Sequence, residues 1–523
     1  MVRPLPLAVH MYRLTLFLVL VVFGAMAFGQ SEVGTESGRI ELLNADRGEY
    51  DDRIAPGAQR LKGNVRFKHK DALMRCDSAY LYQDQRLQAF GHVAIDQGDT
   101  LHVEAERANY NGNDRMARLE GNVVMRNSDM ELSTPALDYD MRNRRAVYTA
   151  GGRIVSRSGG NVLTSDVGTY VTNARLFIFS RNVLLAHPER TITSDTMHYT
   201  TPTGVAEFFG PTQIVQKRTT IHTFRGQYDT RNERARFTKR STIDNEGRTL
   251  AGDSLHYDRK TGDGTAWGHV VVSDTASDMI VRGDQGRYNE ISERAVITGH
   301  AELELWMDKD TLFLHGDTLF TTPDSSGKRV QAHRHVRFFR SDMQGACDTL
   351  IYSEADSLIS LFNDPVLWSG TDQITGDHIR IALSNGKADK LFVEQDAFLI
   401  SQVDSIHFDQ VTGTDMTGDF GDDGLRSLFV EGNARTVYFA EETKEGVESI
   451  MGVNRADCSR IRVELKDGKV NTVTFLDRPD AILYPLEKVP LEELRMQGSD
   501  WRAEERPTDR ADIFRSVVGA AAP

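Results

Sequence analysis

Along most of the chain, apolar and polar residues alternate with period two, the pattern of strands with one face buried and one wet. Val65 and Phe67 alternate with Arg66 and Lys68, Val93 and Ile95 follow the same rule, and Ile192 and Ser194 are separated by threonines. In places both faces turn apolar, as in Leu176-Phe177-Ile178-Phe179. Helical periodicity is nearly absent before residue 480, and β-branched and aromatic residues dominate the runs. Polar breaks punctuate them at Asn111-Gly112-Asn113-Asp114, Pro202-Thr203-Gly204, Lys260-Thr261-Gly262 and Asn385-Gly386. A second set lies at Asn127-Ser128-Asp129, Arg157-Ser158-Gly159-Gly160 and Asn245-Glu246-Gly247. These supply the positive-φ residues of tight antiparallel turns. The pattern predicts an all-β chain of antiparallel strands, each about ten residues long.

The strands recur on a ruler. Tyr80, Tyr110, Tyr139, Tyr170, Tyr199, Tyr228, Tyr257 and Tyr288 stand 30, 29, 31, 29, 29, 29 and 31 residues apart, and Phe320, Tyr352 and Ile381 extend the series. Such a period marks stacked units, none able to bury its apolar face alone. About ten residues after each tyrosine comes a glycine-led triplet. Gly63-Asn64-Val65, Gly91-His92-Val93, Gly121-Asn122-Val123, Gly268-His269-Val270 and Gly299-His300-Ala301 are clear copies. Before the tyrosine stands a small residue and then aspartate, as in Ser165-Asp166, Ser194-Asp195, Gly252-Asp253 and Gly283-Asp284. Both marks fall mid-strand, where glycine signals a bend or bulge. Strands that bend at matching places fold the meander along a crease. The expected architecture is an elongated antiparallel β-jelly-roll slide of about twelve ~30-residue repeats, its two walls facing each other across an apolar interior. Its two end strands would be exposed edges that need a cap or a partner.

Residues 1–29 carry Arg3 and Arg13, an apolar stretch at 14–23, and the small residues Ala25, Ala27 and Gly29. This reads as a cleaved signal peptide, too short to span a bilayer. Residues 30–59 form an N-terminal linker or cap, 60–440 the repeat array, and 441–523 an atypical last repeat with a proline- and charge-rich tail. A short helix is expected near residues 491–496, and the segment 501–507 is either a docking element or disordered.

The formal charge of −14 is unevenly spread. Residues 60–160 hold 16 basic and 13 acidic side chains, and residues 341–450 hold 6 and 21. The acidic total and the export signal disfavour nucleic acid as a partner. Cys76, Cys347 and Cys458 each adjoin an aspartate of the small-Asp mark and serve as its small residue. Catalytic machinery has no residues to attach to: phosphate loops, zinc spacings and nucleophile elbows are missing from the sequence. His333 and His335 alternate on one strand without further ligands nearby. The repeated aspartates are expected to bond local backbone at the bends. The chain is therefore read as a non-enzyme with no cofactor and no metal.

The spaced Gly-Asn-Val triplets, the small-Asp-x-x-x-Tyr marks and the thirty-residue period, over about residues 60–440, resemble the OstA-like family. That family includes the periplasmic lipopolysaccharide-transport bridge protein and the periplasmic domain of its outer-membrane partner. The resemblance implies a periplasmic protein whose apolar slide shields the acyl chains of lipopolysaccharide or a related envelope lipid. It also implies an inner-membrane exporter and outer-membrane translocon components as partners, met through β-edge pairing. The chain is longer than a single bridge domain and ends without the membrane strands of the outer-membrane partner. The residues expected to line the track are Val65, Phe67, Val93, Ile95, Val123 and Met125. Tyr80, Tyr110 and Tyr139 pack near the same interior, with hydroxyls reaching a polar edge. Two other classes remain open: a structural or adhesive β-array without lipid cargo, which a closed dry core would favour, and an exported carbohydrate-active β-helix, which the tight turns argue against.

Overall fold

The computed structural model describes residues 38–515 apart from 51, 54–55, 99–100, 158–159, 308–309, 422–423, 445–446 and 467–468. The expected signal peptide lies outside the described residues. The chain is all-β, 72% strand, and forms one antiparallel sheet of 38 strand segments. Successive strands pair as a meander: Leu101–Asn111 with Met116–Arg126, then Met116–Arg126 with Met130–Asp140. Several segments are two halves of one strand interrupted at the bend, such as Arg145–Tyr148 and Gly152–Ser156. No helix among the described residues is long and apolar enough to cross a membrane, which says nothing of strands.

The crease has a specific backbone origin. The first two triplet residues both adopt positive φ: 75° and 47° at Gly63-Asn64, 71° and 43° at Gly91-His92, 84° and 45° at Gly121-Asn122. The pairing register slips at these places, between Lys62 and Val65, Phe90 and Val93, and Glu120 and Val123. Each slip is a bulge that turns the strand from one wall into the other. Arg334-His335 repeats the geometry, with φ of 61° and 49°, so Arg334-His335-Val336 is a further triplet copy despite lacking glycine.

The aspartate of the small-Asp mark does something other than expected. Its carboxylate bonds across to the second triplet residue of the next strand, rather than to its own local backbone. Asn64 Nδ2 donates to Asp46 (2.9 Å), Asn122 Nδ2 to Glu106 (2.7 Å) and Asn182 Nδ2 to Asp166 (2.8 Å). His92, His269, His300 and His335 pair in the same way with Asp77, Asp253, Asp284 and Asp317. The crease is laced on its outside by these rungs. They also explain the glycine, because a Cβ at Gly91 would lie 2.3 Å from the Asp77 carboxylate at a φ of +71°. Gly91→Val should therefore cost about 2 kcal/mol or more. Gly98→Val, at φ +59° with open space around it, should show the backbone strain alone. Equal losses for the two variants in urea denaturation would show that the rung imposes no steric demand.

The sheet runs on to Pro485, and residues 486–515 then return as a strap of short 3-10 turns across its outer face. The turn Leu491–Glu493 falls where a short helix was expected. Here the strands are apolar on both faces. Leu399 points inward while Phe398 and Ile400 point outward, where they cluster with Val437, Phe439, Val453 and Met496. Two buried glutamines hold the strap main chain. Gln410 gives Nε2 to Leu494 O (2.9 Å) and takes Met496 N–H (2.9 Å). Gln373 does the same with Asp500 O (2.6 Å) and Arg502 N–H (2.7 Å). Segment 501–507 is thus docked on the chain's own sheet.

Candidate functional site

Register alone builds the interior. On one wall, Phe67 pairs with Met74, Met74 with Ile95, Ile95 with Val103, Val103 with Met125, and Met125 with Leu132. The row continues strand by strand through Ile192, Ile214 and Ile221 to Leu314, Phe338 and Val411. Gly345 interrupts it beside Phe338, whose ring occupies the space a Cβ would need. On the facing wall runs a row in which tyrosines alternate with small residues. Tyr110, Ala117, Tyr139, Ala146, Tyr170, Phe177, Tyr199, Ala206, Tyr228, Ala235, Tyr257, Gly264 and Tyr288 are successive partners. Small residues between the rings let the row pack without collision; at Phe177, where no small residue intervenes, the ring instead stacks on Tyr170 at 4.2 Å.

Eight of the nine residues expected on the track face this interior. Val65, Phe67, Val93, Ile95, Val123, Met125, Tyr110 and Tyr139 are all buried. Tyr80 is the exception. Leu81, not Tyr80, is the partner of Leu87, which in turn pairs with Tyr110, so Tyr80 stands one residue out of step and points to the outer face. A one-residue shift in a period-two strand inverts the side chain. Tyr80 packs edge-on against Phe90 there. Phe320 is out of step in the same way, since Thr321 holds its place in the row.

The walls meet. Phe67, Val103, Met125, Leu185 and Ile214 are 0% exposed. The mouth opposite the crease is closed by a seam of polar contacts from one wall to the other. Tyr110 OH bonds His69 Nδ1 (2.5 Å), Tyr139 OH donates to Gln97, Asn127 Nδ2 donates to Tyr170 OH (2.7 Å), and Gln216 Nε2 donates to Tyr228 OH (2.7 Å). Burial holds His69 below its ordinary pKa and raises that of Tyr110 to about 12. Charged pairs reinforce the seam. Asp71 meets Arg115 (2.5 Å) and Arg144 (3.2 Å), Asp129 meets Arg175 (3.0 Å), and Asp274 meets Lys328. The tyrosines are legible in the sequence but the contacts of the seam are not, since those join residues from 12 apart to more than two repeats apart.

The seam is loosest over one stretch. Leu250 and Val272, successive members of the aliphatic row, are only half-buried, as are Tyr257 and Tyr288 opposite them. A cavity of about 90 Å³ lies between the walls here, lined by Ile243, Leu250, Val272, Met279, Tyr257 and Gly264 among others.

This arrangement defines a class: an antiparallel β-repeat slide with an apolar interior and a mouth lined by polar side chains. The family model described as OstA-like protein matches residues 37–195 and 180–253. The model described as LptA/(LptD N-terminal domain) LPS transport protein matches residues 280–387. The chain belongs to the OstA-like family. No curated protein matches it.

Proposed function

We propose that this chain is a periplasmic bridge that carries lipopolysaccharide or a closely related envelope lipid between the two membranes, shielding its acyl chains inside the slide. The reading rests on one observation above all, the apolar row that runs strand by strand from Phe67 to Val411, interrupted only at Gly345, where the Phe338 ring fills the space. An exposed methylene costs about 0.8 kcal/mol in water, so a multi-chain lipid needs a continuous dry path. The family matches support the same reading. Because the walls touch, lipid must part them. The crease is held by backbone geometry, whereas the seam consists of side-chain contacts that water can replace at small net cost. The mouth is therefore where the slide opens. The end strands, Glu41–Asn44 with Arg47–Tyr50 at one end and Lys469–Leu476 with Asp480–Pro485 at the other, offer edges to partners of similar fold.

The closed core favours a second reading, a stiff envelope array without cargo. Photo-crosslinking in cells separates the two. A crosslinker at Met125 faces the interior, while one at Arg126, which pairs with Glu104 and Glu131, faces out. A lipopolysaccharide adduct at Met125 and not at Arg126 is expected. Absence of adducts at Met125, Val65 and Ile95 in folded, exported protein would leave the cargo-free array.

A further inference from the structure

The cavity between Leu250 and Tyr288 differs from the rest of the interior in three ways that a packing defect would not combine. First, the aliphatic row is buried to within a few percent almost everywhere else, with Ile192, Ile214, Ile221, Val281 and Leu303 at 0–2%. Only across Leu250 and Val272 is it half-exposed among the described residues of the row. Second, the facing row places Gly264 between Tyr257 and Tyr288, where alanine or phenylalanine fills the same place in earlier repeats. A Cβ on Gly264 would meet nothing closer than Leu250 Cδ2 at 3.7 Å, so the glycine is not demanded by a clash. It leaves room. Third, the mouth here is crossed chiefly by charged groups, with Arg248 also reaching the Tyr288 hydroxyl. Arg248 pairs with Asp274 (3.1 Å) and Glu293 (3.3 Å). Glu290 takes both the Tyr257 hydroxyl (2.7 Å) and Asn245 Nδ2 (2.9 Å).

We infer that this stretch is a lateral port that takes a single acyl chain of an amphiphile, inserted sideways through the seam with its polar head at the rim. The inference rests on the bridge reading for the identity of its lipid. The resting gap of about 90 Å³ is smaller than an acyl chain, so the chain would enter by parting the walls where they already fit least closely. The rim carries Arg248 and Lys328 against Asp274, Glu290 and Glu293, so it is of mixed sign and both cations are already paired. Such a rim suits a zwitterionic or hydroxyl-bearing head better than a bare anion. The aliphatic row is least buried at Leu250 and Val272, so cargo would enter the slide here and spread along that row.

The test uses the full exported chain and N-phenyl-1-naphthylamine, a neutral fluorophore that brightens in apolar surroundings, with lysophosphatidylethanolamine as the competing single-chain amphiphile. Saturable binding of the fluorophore, displaced by the lysolipid, is expected for the wild type. Gly264→Met should weaken it at least ten-fold, Gly264→Ala should leave it nearly unchanged, and Thr265→Met, on the opposite face of the strand, should have no effect. All four proteins should show the same circular dichroism spectrum. Binding by Gly264→Met equal to wild type, or no saturable binding by the wild type, would overturn the port. The Met125 adduct reports on the bridge separately. An adduct there without a Gly264→Met effect sinks the port and leaves the bridge. A Gly264→Met effect without that adduct keeps an acyl-chain site in a protein that is not a bridge.

Discussion

Truncation of Phe208 to alanine is expected to destabilise the slide by about 3–5 kcal/mol, and to do so locally. The Phe208 ring is fully buried in the strand Val205–Gln216. Its register partners are Met197 on one side and Gly226 on the other. Gly226 in turn pairs with Phe237, and a Cβ there would lie 2.6 Å from that ring, so the glycine makes room for the aromatic neighbours. Removing the Phe208 ring leaves a void that this tightly fitted row cannot close. In a stack where each repeat contacts mainly its neighbours, the loss should not reach the ends. Hydrogen exchange should accelerate in strands Arg190–Thr200, Val205–Gln216 and Thr219–Asp229, while Leu101–Asn111 and Lys387–Gln402 keep their protection. Uniform acceleration along the chain would instead mean that the slide unfolds as one cooperative unit.

The second large effect is on pH dependence. Asp372, Ser401 and Asp409 are successive register partners, so two buried carboxylates flank one serine near the strap. Burial is the main cause that raises both to about 7. Among the described residues Asp372 Oδ1 has no hydrogen-bond partner, whereas Asp409 accepts Phe439 N–H (2.8 Å). In the unfolded chain both titrate near 4. Between pH ~4 and ~7 the unfolded state ionises first, so this region loses stability as pH rises. The loss reaches about 4 kcal/mol per group, at 1.36 kcal/mol per pH unit, and levels off above 7. Asp372→Asn removes one of these terms. It should slow hydrogen exchange in Asp372–Thr375 and Phe408–Gly421 at pH 8 and match the wild type near pH 4. Equal exchange of the two proteins at pH 8 would mean that the Asp372 carboxyl is solvated.

The seam responds to pH with the opposite sign. At Asp71, burial works against ionisation, but the Gln97 and Arg115 contacts outweigh it and depress the pKa; at Asp274, Lys328 outweighs burial in the same way. What these contacts contribute is present above pH ~4 and lost as pH falls through the depressed values. Acid should thus loosen the mouth while it favours the strap region.

The architecture was legible because its signals are local and repeated. Period-two alternation fixes the faces, the polar breaks fix the strand ends, and paired positive-φ residues at Gly91-His92 and its counterparts place the crease. Period-two parity put Val65, Phe67, Val93, Ile95, Val123 and Met125 on the interior face, and the thirty-residue ruler put Tyr110 and Tyr139 there. Tyr80 failed because the thirty-residue ruler counts residues and parity does not forgive an offset of one, which only pairing with Leu87 reveals. Other decisions belong to tertiary structure, since they join residues on different strands, from half a repeat to several repeats apart. Asp71 finds Arg144 across the mouth, Gln373 finds Arg502 at the far end of the chain, and the rung of Asp77 with His92 crosses from strand to strand. Whether the walls touch depends on how well the two rows interdigitate, a property of shape in three dimensions. Alternation states which side chains face inward; it does not state how far apart the walls stand, and that distance sets where the slide is closed and where, beside Gly264, it leaves a gap.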